Sequence, residues 1–191
     1  MIAALFVQRD GCYSGIDGVD CWDEKRDARL YRGPHPVVAH PPCARWCQLA
    51  SLVEARYGYK KGEDGGCFLS ALRSVCDYGG VLEHPAYSAA WAAHGLPAPP
   101  GCGGWVRGLC GGWSCHVEQL SYGHAARKKT WLYCFGVAPP PMRWGSPRGV
   151  EPTAVISDLC PGPHRRLRGK EASATPIEFR DALIAIARSA R

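Results

Sequence analysis

Two short apolar runs constrain this chain more than any other feature. "PVVAH" (36–40) and "VLEH" (81–84) are too short for helices and too apolar for surface strands, as expected of strands buried on both faces. Between them, "CFLSALRSVCDYGG" (67–80) places Phe68, Leu69, Leu72, Val75 and Cys76 at helical spacing, and Gly79-Gly80 stops the helix. Residues 44–57 carry a second helical pattern, and "KKGEDGG" is a polar hinge. Strand, helices, strand is a β-α-β unit, whose crossover joins parallel strands in a right-handed sense. Both His-Pro ends then leave the sheet on one rim, where ligands of open α/β sheets bind. The prolines after His40 and His84 end pairing there and set Cys43 and Glu83 on that rim.

The rest of the chain fits one α/β domain over residues 1–191. "IAALFVQ" (2–8) reads as a first strand, "SAAWAAHG" (88–95) as a short helix, and 115–137 as two strands around a basic turn. A Pro/Gly/Cys-rich loop insertion covers 96–114, and 161–174 is a basic loop. The C-terminal helix (175–190) has Thr175 as N-cap, Pro176 in its first turn and Glu178 for a capping box. Phe179, Leu183, Ile186 and Ala187 share its apolar face, alongside Ala182 and Ala190.

Nearly half of the residues are apolar, which excludes wholesale disorder. No segment approaches the roughly 18 apolar residues of a membrane span, and "MIAALFVQRD" lacks the basic start of a signal peptide. A cytoplasmic location follows as the expectation. Thiols stay reduced there, so the eleven cysteines read as small apolar residues, metal ligands or nucleophiles rather than a disulfide framework. A net charge of +6 suits anionic partners such as DNA or nucleotides, and equally suits plain solubility.

Cys43 follows Pro41-Pro42, and a helix starting near Ala44 would lower its thiol pKa and favour a nucleophilic thiolate. The alternative is an inert thiol buried after a turn. Glu83 is the one acid in "GGVLEHPAY". It reads as a general acid with a raised pKa, as an acceptor for a base edge, or as the partner of Arg45 or a lysine. His40, His84 and His124 stand ready to assist with protons or phosphate. Gln119 can reach a base edge, though a paired strand residue is the simpler reading.

Phosphate contact is expected from Arg45, from the turn Arg127-Lys128-Lys129, and from Arg165, Arg166, Arg168 and Lys170, the last run reading equally as a solvated loop. Cys102, Cys110, Cys115 and His116 offer four soft ligands for a closed structural zinc site, though no CxxC pair supports one. "PCARWC" has one residue too many for a zinc deaminase and no H-x-E precedes it, which rejects deamination.

"HPPC" (40–43), "LEHP" (82–85), "YGHAARKKTWLY" (122–133) and the closing "SATPIEFRDALIAIA" together resemble small phage and prophage proteins related to the DNA cytosine C5 methyltransferases. The resemblance implies a Rossmann-like, methyltransferase-like domain with a mostly parallel, mixed sheet. It implies a DNA pyrimidine-modifying transferase in the host cytosol, with DNA or a pyrimidine nucleotide as partner. Cys43 would add to C6 of the base and Glu83 would hold it. S-adenosylmethionine is the donor it implies. The spacing of Gly11, Gly15 and Gly18 is looser than that family's donor loop, and Asp20 or Asp23 would supply the ribose-binding acid or else sit in a solvated turn. Two other readings stand beside it. One is a non-enzymatic DNA-binding or regulatory module on the same fold, the other a zinc-stabilised interaction protein.

Overall fold

The structure, a computed structural model, describes residues 1–156 and 164–190. The strands are β1 (Ile2–Leu5), β2 (Val19–Trp22), β3 (Val37–Ala39), β4 (Gly80–Pro85), β5 (Trp105–Arg107), β6 (Trp113–Glu118), β7 (Lys129–Phe135), β8 (Ala154–Val155) and β9 (Arg165–Arg166). The helices are α1 (Ala50–Tyr57), α2 (Cys67–Tyr78), α3 (Ala89–Ala93), α4 (Gly169–Ser173) and α5 (Ile177–Arg188). Seven strands form one mixed sheet in the order β2-β1-β3-β4-β7-β6-β5, and β8 pairs with β9 apart from it.

The architecture is α/β, as the alternation of runs predicts. The sheet is less parallel than expected. Three pairings, β1–β2, β1–β3 and β3–β4, are parallel, and three, β4–β7, β7–β6 and β6–β5, are antiparallel. The sequence from 96 to 135 supplies the antiparallel half. Part of the 96–114 loop is strand β5, which pairs along the edge of β6. The expected pair of strands around a basic turn is β6 and β7, with a 3-10 turn at Gln119–Tyr122 between them.

Strand alternation divides the core in two. Ala3, Leu5, Val37, Ala39 and Leu82 face Phe68, Ala71 and Val75 of α2 and Trp91 of α3. Ile2, Ala4, Val38 and Val81 face Phe179, Leu183 and Ile186 of α5. Leu69, expected on the apolar face of α2, is partly exposed. Gly80 permits the tight start of β4, since a Cβ there would lie 2.0 Å from the Val37 carbonyl oxygen.

Three local expectations are corrected. The helix predicted from Ala44 begins only at Ala50. The Trp46 carbonyl, which would bond the Ala50 amide in a continuous helix, instead accepts from the Ala89 amide, and Ala50 turns to the Cys47 carbonyl. In α5 the N-cap is Pro176 without a side-chain cap, and Glu178 pairs with Arg143 instead of closing a capping box. Within the basic 161–174 segment, residues 165–166 and 169–173 form β9 and α4, while 161–163 lie outside the described residues.

Strand order positions the site. From β1 the chain passes to β2 on one side, and β3 then lies on the other. The connections leaving the C-terminal ends of β1 and β3 therefore diverge, and the end of the sheet where they part is the place where open α/β sheets hold ligands. Residues 6–18 and the His40–Cys43 turn leave the sheet there.

Candidate functional site

Position 40 continues the parity of Val38, and position 83 that of Val81, so both side chains emerge on the α5 face at the rim. They meet: His40 Nδ1 lies 2.9 Å from Glu83 Oε2. On the other side of the ring, His40 Nε2 lies 2.8 Å from the hydroxyl of Tyr13, carried by the connection after β1. The second Glu83 oxygen accepts from Gln119 Nε2 at 3.1 Å. Gln119 also donates to Thr130 Oγ1 at 3.0 Å, and its own carbonyl oxygen is buried without a partner. Turning that amide over would set its oxygen against a carboxylate, which fixes the orientation. Phenol, imidazole, carboxylate and amide thus form one continuous hydrogen-bonded chain.

The charges in that chain follow from its surroundings. Burial pushes the Glu83 carboxyl up, but the His40 hydrogen bond, with the positive charges of Lys128 and His40, outweighs it and brings the pKa down from 4.5 to about 2. Glu83 is therefore an ionised acceptor, which contradicts the general acid with a raised pKa, and its partner is His40 rather than Arg45. An ionised Glu83 requires the proton on His40 Nδ1. Burial holds the Tyr13 hydroxyl well above the ordinary phenol range, so Tyr13 remains a neutral O–H.

Cys43 joins the same rim but not with the predicted reactivity. Burial, then the negative charge of Glu83, pushes its thiol up, with Lys128 opposing only weakly. No helix begins at Ala44 to favour the thiolate; the Cys43 carbonyl accepts from the amides of Trp46 and Cys47 in an isolated turn. Beside that turn is a cleft of about 570 Å³ lined by Pro42, Ala44, Arg45, Val53, Tyr59, Glu63 and Asp64.

Lys128, expected at phosphate, directs its Nζ to the carbonyls of Ser173 and Ala174, each at 3.0 Å, and its charge acts on Glu83, Cys43 and Cys12. Arg180, from the first turn of α5, donates to the Cys12 carbonyl and so ties down the connection that bears Tyr13.

Other expected residues lie elsewhere. His84 is adjacent to Glu83 on a strand and therefore points to the opposite face, where it packs on Phe68 and Trp91. Its ring nitrogens make no hydrogen bond of ordinary geometry, although the Pro42 carbonyl acts on the ring, and burial lowers its pKa to about 4. His124 Nδ1 accepts from the Ala126 amide and shapes its own turn, so the ring is engaged away from the Tyr13–His40–Glu83 chain. Arg127 binds Ser146 and Glu118. Lys129, Arg166, Arg168 and Lys170 are exposed, and Arg165 pairs with Glu171. Arg45 lies over the ring of Tyr59.

The proposed zinc ligands are not brought together. Cys115 is buried in the core, its strand neighbour His116 faces the other way beside Tyr87, and Cys102 and Cys110 are exposed. Among the described residues no group of three or more His, Cys, Asp or Glu side chains is arranged to hold a metal ion. The acids named for the ribose of S-adenosylmethionine already have donors of their own. One Asp20 oxygen accepts from Arg26 and the other from Trp22 and Arg26, while Asp23 Oδ1 accepts from the Arg26 amide. Gly11 serves a tight turn of its own, since a Cβ there would lie 2.9 Å from the Gln8 carbonyl oxygen.

Sequence reasoning missed Tyr13 and set Gln119 aside. Tyr13 sits in a turn-rich stretch whose local pattern gives no sign that it will reach a histidine 27 positions away. Gln119 had the better signal, a long amide at the end of a strand. Comparison with family models, with curated proteins and with solved structures gave no match in any of the three. Among the described residues no helix is long and apolar enough to cross a membrane.

Proposed function

We propose that this chain is a phage-type DNA pyrimidine-modifying enzyme built on a Rossmann-like, methyltransferase-like domain, acting at C5 of the base. One observation carries the reading: a buried, ionised Glu83, linked through His40 to Tyr13, acts on the Cys43 thiol at the end of the sheet where the strand order reverses. A polar chain of that kind is costly to bury for structure alone, and sites that shift several titratable groups together are where catalysis is found.

The chemistry assigns each group a task. The Cys43 sulfur adds to C6 of the pyrimidine and its proton passes to the Tyr13–His40–Glu83 chain, which delivers one proton to N3 in return. As the S–C6 bond forms, the C5–C6 bond becomes single, its π pair moves to C4–C5, and C5 becomes the nucleophilic carbon. C5 then takes up an electrophile. Loss of the C5 proton to solvent, expulsion of sulfur and return of the N3 proton to the sulfur through the chain restore the base and the free thiol. The base must be out of a duplex stack to reach such a site.

This reading predicts an activity that needs no group donor. With water as the only electrophile, C5 exchanges its hydrogen with solvent. The test is deuterium uptake at C5 of pyrimidines in DNA incubated with the protein in heavy water, read by nucleoside mass spectrometry. Wild-type protein should exchange and Cys43→Ser should not; absence of exchange at both cytosine and uracil, the pyrimidines that carry a C5 hydrogen, would remove the proposal.

A second reading, a non-enzymatic nucleic-acid-binding module, is favoured by one specific feature. Both Glu83 oxygens already have partners, and the Cys43 thiol is held protonated. It predicts DNA binding with no exchange.

A further inference from the structure

The excursion from Ala44 to Asp64 stands away from the core. Its base is pinned: Trp46 Nε1 donates to Asp64 Oδ2 at 2.8 Å, the Gly62 amide donates to the Arg45 carbonyl, and the Ala89 amide donates to the Trp46 carbonyl. Its outer part is open. Tyr57 and Tyr59 are 59% and 54% exposed, and in α1 only Ala50 is buried. A helix so poorly covered contributes little to folding, and helices draw most of their stability from a packed face.

The exposed groups are ordered. The Arg45 guanidinium lies 4.2 Å from the Tyr59 ring centroid, the Tyr59 and Tyr57 rings are 6.4 Å apart at 31°, and the Arg56 guanidinium lies 5.4 Å from Tyr57. Four planar groups alternate as cation, ring, ring, cation on an open surface. Lys60 and Lys61 follow directly, so residues 44–64 carry Arg45, Arg56, Lys60 and Lys61 against Glu54, Glu63 and Asp64, with Lys60 paired to Glu63 and Asp64 engaged by Trp46. The row begins at Arg45, two residues beyond Cys43, and the cleft of about 570 Å³ opens between Pro42 and Tyr59.

We infer that this ladder is a docking surface for single-stranded nucleic acid, which it holds by base stacking and leads towards the Cys43 rim. Positive charge supplies attraction for a polyanion, but charge alone serves duplex and single strand equally. Stacking faces select the single strand, because only unpaired bases offer a free π-surface to Tyr and Arg. An acidic peptide would satisfy the cations and leave both tyrosines without a role. The inference rests on the nucleic-acid substrate proposed above and supplies the form in which that substrate arrives, already unpaired.

The experiment is fluorescence anisotropy of the full chain with a labelled single-stranded DNA of about 12 nucleotides, within the site sizes such surfaces cover. A duplex of the same length and poly-glutamate serve as competitors. The single strand should bind more tightly than the duplex, and poly-glutamate should fail to displace it. Tyr57→Ala/Tyr59→Ala should weaken single-strand binding by about tenfold or more, the loss expected for stacked bases. Tyr59→Leu keeps apolar bulk and should also weaken it, as should Arg45→Lys, which keeps the charge without the planar face. Both tyrosines are over half exposed, so melting temperature and helical circular dichroism should not change. Variants that bind like wild type, a duplex bound as tightly as the single strand, or displacement by poly-glutamate would each overturn the inference. Cys43→Ser separates it from the chemistry, since it should bind normally. If wild type shows no C5 exchange while the ladder variants lose single-strand binding, the enzyme reading falls and this one stands.

Discussion

Acidifying the protein tests the central network directly. Glu83 has a folded pKa of about 2 against an ordinary 4.5. A carboxylate with a depressed folded value stabilises the fold fully above its unfolded pKa, and that stability drains away as pH falls towards the folded value. The interval corresponds to roughly 3 kcal/mol at pH 6, of which about 2 kcal/mol is lost by pH 3. The causes also fix what His40 does. Burial alone pushes the carboxyl up, and the His40 hydrogen bond is the first of the effects that reverse it. His40→Ala should therefore carry the Glu83 titration upward past 4.5, to the far side of an exposed glutamate.

The direct assay is a carbon-13 titration of the glutamate side-chain carboxyls, with the Glu83 resonance identified by its absence in Glu83→Gln. In wild type it should hold its ionised chemical shift from pH 7 down to about pH 3, well below the range in which a free glutamate side chain titrates. Urea unfolding at intermediate and low pH gives the energetic counterpart. A Glu83 resonance that titrates with the exposed glutamates, or one that His40→Ala leaves in place, would refute the claim that the imidazole holds this buried charge.

Three further outcomes follow from the same geometry. Cys43, its thiol raised by burial and by Glu83, should react with iodoacetamide more slowly than the exposed Cys102 and Cys110, and Glu83→Gln should speed it; peptide mass spectrometry reads the rates, and a Cys43 that reacts first sinks the assignment. His84 is buried uncharged with a pKa lowered to about 4, so its contribution to stability is complete above about pH 6.5 and is lost as pH falls through 4. His84→Phe, which keeps an aromatic ring against Phe68 and Trp91, should shift the acid-unfolding midpoint to lower pH; an unchanged midpoint would show that the ring is not the acid-labile group. Gly80→Ala would drive a Cβ into the Val37 carbonyl at a backbone φ of +127°, and should cost at least about 3 kcal/mol, read as loss of folded protein on thermal melting.

The parts of this fold that were legible are those with a local period. "VVAH" and "VLEH" read as buried strands because each is short and opens on apolar residues, and α5 read as a helix because Phe179, Leu183, Ile186 and Ala187 recur on one face. The unread parts depend on distant partners. The 44–57 helix is cut short by the Ala89 amide, which takes the carbonyl that the helix needed. His84 marks a different kind of miss. The pleat sends neighbouring residues to opposite faces, so Glu83 and His84 were never able to share a site. Cys43 was placed on the right rim with the wrong acidity, because its thiol answers to Glu83 and to burial rather than to a helix end.

The most legible element and the least legible residue are mechanically joined. The apolar face of α5 closes one side of the sheet, which is why its pattern is so plain in the sequence. The first turn of the same helix carries Arg180, whose guanidinium holds the Cys12 carbonyl, and the segment before it offers the Ser173 and Ala174 carbonyls to Lys128. Tyr13 is the residue after Cys12, and it reaches His40 only if that connection is held in place. Burying Phe179 and Leu183 therefore does two jobs: it completes the core, and it fixes the position of a phenol that no local pattern ties to the site. Core and chemistry share one helix, so the packing beneath α5 and the Tyr13–His40–Glu83 chain depend on the same element.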